Sequence, residues 1–421
     1  VSAAAAVRWT IRQIGNKGDG IAGDEAGNTA FIPFTLPGET VSAAVTNGRG
    51  ESIAILQPSS ERVEPPCPHF GDCGGCALQH WERRAYSTWK REKLVDALKS
   101  RGIDIEVAPL IDCPEQARRR VTFGVRRTEA GLLLGFHAAL SNRIVPIETC
   151  IIADPAIVAS LPALRLLGEA VATGTAPFSM TVTTTETGLD VALSGLSAPD
   201  EKVRHAVVAL ALELRFARVS WNGEILVEPV KPDIVFGTAK VTPPPGAFLQ
   251  AVPSAEEAMA SLVVEHVKGA KMVADLFAGC GTFALRMARK ANVHAVEGEA
   301  APLAALQSGF RFGEKLRQVT VEKRDLFDRP LTWKELKSFD AVVFDPPRAG
   351  AEDQCRQLAK SDVPRLAAVS CNPVTLARDL SILLDGGYTL KSITPIDQFL
   401  WSPHLEVLAL LEKPGKSRRR R

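Results

Sequence analysis

A chain of 421 residues, 46% hydrophobic and 23% charged, has an ordinary globular composition that can fill two to four cores at ~150 residues per domain. This excludes a disordered, collagen-like or small disulfide-stapled protein, and the lack of any apolar run of ~20 residues excludes a helical membrane span. The net charge of +2 excludes recognition of nucleic acid through global charge, so such a partner must be read from local clusters.

The opening Val1-Ser-Ala-Ala-Ala-Ala-Val7 has neither a basic n-region nor a bulky apolar h-region. No secretory signal is expected, and the expected location is cytoplasmic. In that compartment the eight cysteines are expected to be thiols, metal ligands or nucleophiles rather than disulfides.

Residues 6–60 read as an all-β unit. Val7–Arg12 alternates, Gly15–Gly20 is a loop, and Thr29–Phe34, Val41–Val45 and Ser52–Leu56 complete about five short strands. That count predicts a small closed barrel of OB type, an architecture often used on oligonucleotides. A proline- and serine-rich linker, 58–68, leads into Cys67, Cys73 and Cys76, among glycines that let the backbone wrap closely around an object. Three cysteines this close call for a fourth ligand. Cys113 and Cys150 are the downstream candidates, and Cys150 is preferred because it follows a strand and a hairpin. His69 or His80 as a mixed ligand is the weaker reading. Four thiolates suit an iron–sulfur cluster or zinc, and spacing does not choose between them.

Residues 83–101 predict a helix with Tyr86, Trp89, Leu94 and Leu98 near one face and a solvated basic remainder, stopped at Gly102. Hairpins are expected across Glu129–Gly131 and Glu186–Gly188, giving a mixed α+β unit over 61–238 that carries the cysteines. The helix 83–101 is left open to pack on the last unit. Between Cys113 and Cys150 six arginines face three glutamates. The consecutive Arg118, Arg119 and Arg120 are candidates for phosphate contact, weighed against an ordinary solvated face.

Residues 239–414 alternate strand and helix. Strands are predicted at 272–277, 294–297, 319–323, 341–345, 367–370, 389–393 and 406–411, and helices near 254–268, 282–291, 301–313, 353–360 and 374–385. That is a doubly wound, Rossmann-like α/β sheet. The tail 415–421 is basic and expected to be disordered.

The chemistry sits at the ends of those strands. Gly279-Cys-Gly-Thr-Phe-Ala284 matches Gly-x-Gly-x-x-Ala after a strand, a loop that lets a nucleotide-type cofactor approach the backbone. Glu297 ends the next strand, where an acid can hold two ribose hydroxyls, and Asp325 is placed to meet an adenine amino group. Asp345-Pro-Pro-Arg348 ends another strand, with no aromatic after the prolines for stacking an adenine and no cysteine of the kind cytosine-C5 enzymes place there. Ser370-Cys371-Asn-Pro373 presents a thiol at the rim of the sheet. The remaining fit is uracil C5, a carbon too weakly nucleophilic to take a methyl group until a thiolate adds at C6. Cys371 is then the nucleophile, and Glu406 is the best candidate for the base that removes the C5 proton. Asp345 is placed to hold the ring or the cofactor. A uracil inside structured RNA must be flipped out to be reached.

With those residues in view, the whole chain resembles the RNA 5-methyluridine methyltransferases, and within them the 23S rRNA (uracil-5-)-methyltransferase group with an N-terminal TRAM domain. The motifs that carry the resemblance are Cys67, Cys73 and Cys76 with Cys150, Phe248-Leu-Gln250, Asp275-Leu-Phe-Ala-Gly279-Cys-Gly281, Glu297, Asp345–Arg348, Ser370–Pro373 and His404-Leu-Glu406. The resemblance implies a [4Fe–4S] cluster on the four cysteines and S-adenosylmethionine as methyl donor. It implies cofactor contacts from Gln250, Phe277, Gly279, Glu297, Asp325 and Asp345, and a substrate contact from Phe248. It also implies 23S rRNA as the expected partner and a monomer as the working form. Transfer RNA is the alternative target, and a methyltransferase on cytosine or a small molecule, or a non-catalytic RNA-binding protein, are the rival classes. One departure stands out: the family often has asparagine where this chain has Val252.

Overall fold

The computed structural model describes residues 6–24 and 26–414, so the expected disorder of the basic tail lies outside the described residues. Five strands come first, β1 (Val7–Ile14), β2 (Gly20–Gly23), β3 (Thr29–Ile32), β4 (Thr40–Thr46) and β5 (Arg49–Gln57), and they close into a barrel in the order β1-β2-β3-β5-β4. Alternation sends Trp9, Ile11, Ala30, Ile32, Val41 and Ala43 inward to fill it. Helix α1 (Arg83–Lys99) follows, begun by the Glu82 side chain, which accepts from the Ala85 amide.

A seven-stranded sheet comes next, built from β6 (Arg120–Thr128), β7 (Gly131–His137), β8 (Ile144–Pro146), β9 (Phe178–Thr185), β10 (Gly188–Ser194), β11 (Arg218–Trp221) and β12 (Glu224–Val227). Its order is β12-β11-β10-β9-β6-β7-β8, antiparallel except for the β10–β11 pair. Helices α2 (Pro155–Ala159), α3 (Leu161–Val171) and α4 (Glu201–Glu213) bury Ile157, Leu164, Leu167 and Val207 on it, against Phe123, Val182 and Val191. A short hairpin, β13 (Ile234–Phe236) and β14 (Ala239–Val241), leads to the last sheet.

That sheet is threaded through α5 (Pro253–His266), β15 (Met272–Leu276), α6 (Ala284–Met287), β16 (Asn292–Glu297), α7 (Ala300–Phe312), β17 (Val319–Lys323), β18 (Ala341–Phe344), α8 (Glu352–Lys360), β19 (Arg365–Ser370), α9 (Pro373–Asp385), β20 (Thr389–Ile396) and β21 (Glu406–Glu412). The order is β17-β16-β15-β18-β19-β21-β20. The first five strands are parallel, and β21 slots antiparallel between β19 and β20. Both faces are buried, so the strands read as nearly continuous apolar runs. Ala274, Leu276, Val342, Phe344 and Leu366 meet α1, α8 and α9 on one face. Val273, Val343, Ala367 and Val369 meet α5 and α6 on the other.

Two expectations need correcting. The helix expected over 282–291 is a single turn, Ala284–Met287, with turns on either side. The remainder of α1 is not all solvated, because Lys90 is completely buried. Its ammonium pairs with the equally buried Asp397 and donates to the Phe399 carbonyl at 3.0 Å. The Tyr86 hydroxyl donates to the other Asp397 oxygen at 2.8 Å and accepts from the Trp401 amide at 2.8 Å. Burial pushes the Lys90 ammonium down and the Asp397 carboxyl up, each against the pull of its partner. A lysine on a helical face otherwise lined with leucines carries no sequence sign of its partner 307 residues away. Among the described residues no helix is long and apolar enough to cross a membrane.

Lys90→Met is expected to cost about 3–5 kcal/mol, because it strands a buried carboxylate. Lys90→Met with Asp397→Asn should recover most of the loss, as read from urea midpoints in a double-mutant cycle. A loss below ~1 kcal/mol for the single variant would contradict the buried pairing.

Candidate active site

The parallel strands deliver their loops to one edge of the sheet. Strand β15 ends at Asp275-Leu276, and the chain turns through Phe277 and Gly279, both at positive φ (59° and 52°). A Cβ on Gly279 would meet nothing within 4 Å, so this side of the loop lies open to a ligand. Gly281 differs, since a Cβ there would stand 2.8 Å from the Leu306 side chain. The Gly279 amide donates to Glu297 Oε2 at 2.9 Å, and the Glu299 amide donates to Glu297 Oε1 at 2.9 Å. Asp325 is exposed at the end of β17 and accepts from the Phe327 amide at 2.9 Å. The Phe277 and Phe327 rings pack with centroids 5.5 Å apart beside it, in a 140 Å³ recess that also contains Gly350 and Ala351.

Electrostatics select among nucleotide-type ligands. Asp275 is fully buried; the Ala284 amide lies near enough to favour its carboxylate, but neither oxygen completes a well-formed hydrogen bond among the described residues. Burial drives its carboxyl well above the usual range, and the neighbouring Asp345 and Glu297 charges push the same way. The Gly279 amide, a donor that a pyrophosphate would need, is already taken by the Glu297 carboxylate, which suits a ligand carrying positive charge instead. The helix beyond the glycine loop is one turn long, so it also lacks the extended dipole on which dinucleotide folds seat their phosphates. The residues therefore fit S-adenosylmethionine better than a dinucleotide.

The catalytic candidates meet on the neighbouring strands. Ser370 pairs with Val407 across β19 and β21, and one further step in that register sets Cys371 opposite Glu406. The Asn372 side chain caps α9 by accepting from the Val374 amide, and Pro373 takes the first helical position. Asn372 and Thr375 both donate to the Arg348 carbonyl, at 3.1 and 3.2 Å, and so fasten the Asp345–Arg348 loop to the cysteine loop. Burial raises the half-buried Cys371 thiol, and so do the Glu406 and Asp345 carboxylates, while the Arg348 guanidinium beside it favours the thiolate. Burial carries Asp345 up to about 7 and Glu406 well above the usual range. Glu406 Oε1 is buried with no hydrogen-bond partner among the described residues.

A side chain with no motif behind it ties these groups together. Gln398 is buried, donates to Glu406 Oε2 and to Gln250 Oε1 (2.8 Å), and accepts from the Ala251 amide (3.1 Å). Gln250 in turn donates to Asp345 Oδ2 at 2.8 Å. Phe248 stands two residues away with 71% of its surface exposed.

The three arginines split by strand alternation. Arg119 points inward, donates to the Gln250 carbonyl at 3.0 Å and pairs with the buried Glu256. A phosphate would have to displace that carboxylate, so the contact expected of Arg119 does not fit its surroundings. Arg120 donates to the Gly246 carbonyl at 3.1 Å, and the two arginines together hold the 246–250 loop. Arg118 faces the cysteines. Cys67, Cys73, Cys76 and Cys150 line one 390 Å³ cavity with Arg118, Arg348 and His404, whereas Cys113 is buried in the core beneath α5. Burial raises Cys73 and Cys150 and pushes Cys76 up to about 12, and neighbouring thiolates raise each of the three further. Among the described residues no three metal-binding side chains converge closely enough to hold one metal ion. Val252, where asparagine was expected, is buried at the start of α5 and gives that helix no side-chain cap.

Residues 242–414 match the tRNA (uracil-5-)-methyltransferase family. The chain is 56% identical over 411 residues to an uncharacterised RNA methyltransferase of Mesorhizobium japonicum, spanning 98% of this chain and 99% of that one. It is 33% identical over 441 residues to the 23S rRNA (uracil(1939)-C(5))-methyltransferase RlmD of Halomonas elongata, spanning 97% of this chain and 90% of the relative. Among solved structures, the Pyrococcus abyssi tRNA (uracil-54, C5)-methyltransferase bound to S-adenosyl-L-homocysteine matches with a TM-score of 0.74. It covers 96% of this chain and 100% of that chain at 22% identity, a likeness of fold.

The raised Asp345 carboxyl contributes to the pH dependence of stability, alongside the raised Glu406, Asp275, Asp379 and Asp397 carboxyls. Its proton is held to about pH 7 in the fold and only to ~4 in the unfolded chain, so its contribution is complete below pH ~4 and is lost as pH rises through 7. Asp345→Asn should therefore match the parent protein at pH 4 and exceed it at pH 8, by a margin on the order of a few kcal/mol in urea unfolding. Parallel stability curves across that range would refute the shift.

Proposed function

The chain belongs to the tRNA (uracil-5-)-methyltransferase family and is an S-adenosylmethionine-dependent RNA (uracil-5-)-methyltransferase; from there we propose that it methylates a uridine of 23S rRNA through a covalent adduct of Cys371, with Glu406 as the base. The observation that carries the reading is the buried, unpartnered Oε1 of Glu406 next to the Cys371 thiol. Gln250, Phe277, Gly279, Glu297, Asp325 and Asp345 would hold S-adenosylmethionine, which would supply an electrophilic methyl group.

The steps follow from the groups present. Arg348 favours the Cys371 thiolate, which bonds to C6 of a flipped uracil, so that the C5–C6 π pair shifts onto C5 and the C4 carbonyl. C5 then bonds the methyl carbon as the sulfonium–methyl bond breaks. Glu406 Oε1 takes the C5 proton, the C5–C6 double bond re-forms and Cys371 leaves as thiolate. Burial gives this carboxyl a high proton affinity, and it serves as the base in its ionised form, which the Gln398 amide favours. Phe248 offers an exposed ring for a base to stack on, and Arg118 and Arg120 remain as phosphate contacts. The 33% identical relative named for 23S rRNA supports ribosomal RNA over transfer RNA as the target.

We propose in addition that Cys67, Cys73, Cys76 and Cys150 hold a [4Fe–4S] cluster. A tetrahedral zinc draws its thiolates to ~2.3 Å from one point. Thiols ringing a cavity suit a larger cluster carrying its own positive charge. It would crosslink the 67–76 loop to residue 150 and takes no part in the steps above.

Cys371→Ala should abolish methyl transfer, and RNA carrying 5-fluorouridine should trap the parent enzyme as a methylated covalent complex, since fluorine cannot leave C5 as a cation. Methylation surviving Cys371→Ala would end the covalent reading. Mapping 5-methyluridine in ribosomal and transfer RNA from a deletion strain assigns the target, and loss confined to transfer RNA would overturn the ribosomal choice. Anaerobically purified protein should contain equal iron and acid-labile sulfide, and stoichiometric zinc would overturn the cluster.

A further inference from the structure

Gln398 lies in the segment between β20 and β21 and is almost completely buried. Side-chain amides are ordinarily ambiguous in orientation, but here one backbone group settles it. The Ala251 amide can only donate, so the oxygen it meets at 3.1 Å is the Gln398 carbonyl. The Gln398 amino group must then face the other way, and its two hydrogens meet two acceptors, Glu406 Oε2 and Gln250 Oε1. With its own oxygen occupied, Gln250 turns its amino group to Asp345 at 2.8 Å. One peptide N–H thus sets the direction of a four-residue chain. It also decides which oxygen of Glu406 is taken and which, Oε1, is left without a partner.

We propose that Gln398 is a positioning residue for proton removal, locking the Glu406 carboxylate so that Oε1 faces C5 of the methylated adduct and holding Gln250 in its Asp345-donating orientation. This rests on the reading of Glu406 as the base. An amide is what the place requires. A methionine would fill the volume but offer no donor to Glu406, and a glutamate would keep the Ala251 contact while setting an acceptor against two acceptors. Gln398 itself makes no hydrogen bond to Cys371 or the glycine loop and reaches them only through Glu406, Gln250 and Asp345, so adduct formation and methyl transfer should persist, at reduced rate, when Gln398 is replaced. The step that follows, in which the C5 proton moves to Glu406, the double bond re-forms and the sulfur leaves, should be slowed.

The experiment uses the full-length enzyme, ordinary uridine RNA and S-adenosylmethionine labelled in the methyl group. Gln398→Met and Gln398→Glu should lower turnover by ~10–100-fold and accumulate a denaturant-resistant protein–RNA complex carrying label, which the parent enzyme does not. A loss of packing alone would lower turnover without storing the methylated adduct. Two variants guard against one failing to fold. Turnover within twofold of the parent in either soluble variant, or reduced turnover with no labelled complex, overturns the proposal. Glu406→Gln run in parallel separates the two readings, because if it stores no labelled complex the assignment of the base has failed whatever Gln398 does.

Discussion

The antiparallel register between β19 and β21 is the constraint on which the site depends. Ser370 opposite Val407 brings the cysteine at the end of one strand beside the first carboxylate of the other. A slip of one residue would send Glu406 to the opposite face of the sheet, away from the thiol. The strand cannot slip cheaply, because β21 has a partner on each edge and Glu406, Val407, Leu408 and Ala409 are all buried. The parallel order of the other strands gathers the glycine loop, Asp325 and Asp345 at the same edge as Cys371 and Glu406.

That edge is costly to fold. Asp275 and Glu406 are buried carboxyls with unpartnered oxygens, and Asp345 beside them is partly buried. Each stores destabilisation that lasts until a cation or a substrate arrives, the usual compromise between activity and stability at a reaction centre. The compensation lies nearby. The buried Lys90–Asp397 pair, backed by Tyr86, anchors α1 to the residue next to Gln398. The 397–405 segment must pass from β20 to β21 without a helix to stiffen it, and this pairing fixes its first residue. The Trp401 amide, held by the Tyr86 hydroxyl, fixes it again midway.

Much of this was legible because it is local. The alternation of residues 7–56 announces a barrel, and the strand–loop boundaries at Asp275, Glu297, Asp345 and Cys371 follow from apolar runs that stop at glycine, proline or acid. What was hidden depends on long-range pairing. Lys90 falls on the apolar face of α1 between Tyr86 and Leu94, but nothing local names Asp397 as its partner. Gln398 belongs to no pattern, and its role exists only because Ala251 and Glu406 arrive from separate elements. Arg119 reads as part of a basic run, yet alternation turns every second residue of that run inward, where Glu256 waits. The helix expected after Gly281 shrinks to one turn because the chain bends early into β16, an outcome that propensity alone does not register.

The cysteine quartet and Cys371 share a wall. Arg348 and His404 line the cavity that the four cysteines surround. Arg348 also stands beside Cys371, with its guanidinium 3.1 Å from the His404 ring and its carbonyl tied to Asn372 and Thr375. The 67–76 loop is pinned on its far side by the Gly74 amide, which donates to the His137 carbonyl at 2.9 Å. Its near side meets the 399–404 segment, where the Ala77 and Leu78 amides both donate to the Trp401 carbonyl, at 2.8 and 3.1 Å. Whatever orders the cysteine loop therefore also orders the segment leading into Glu406 and the guanidinium that favours the thiolate. A cluster far from the chemistry would only hold a domain together. Thiols one side chain away from Cys371 make the integrity of that loop a condition for the arrangement of Cys371 and Glu406.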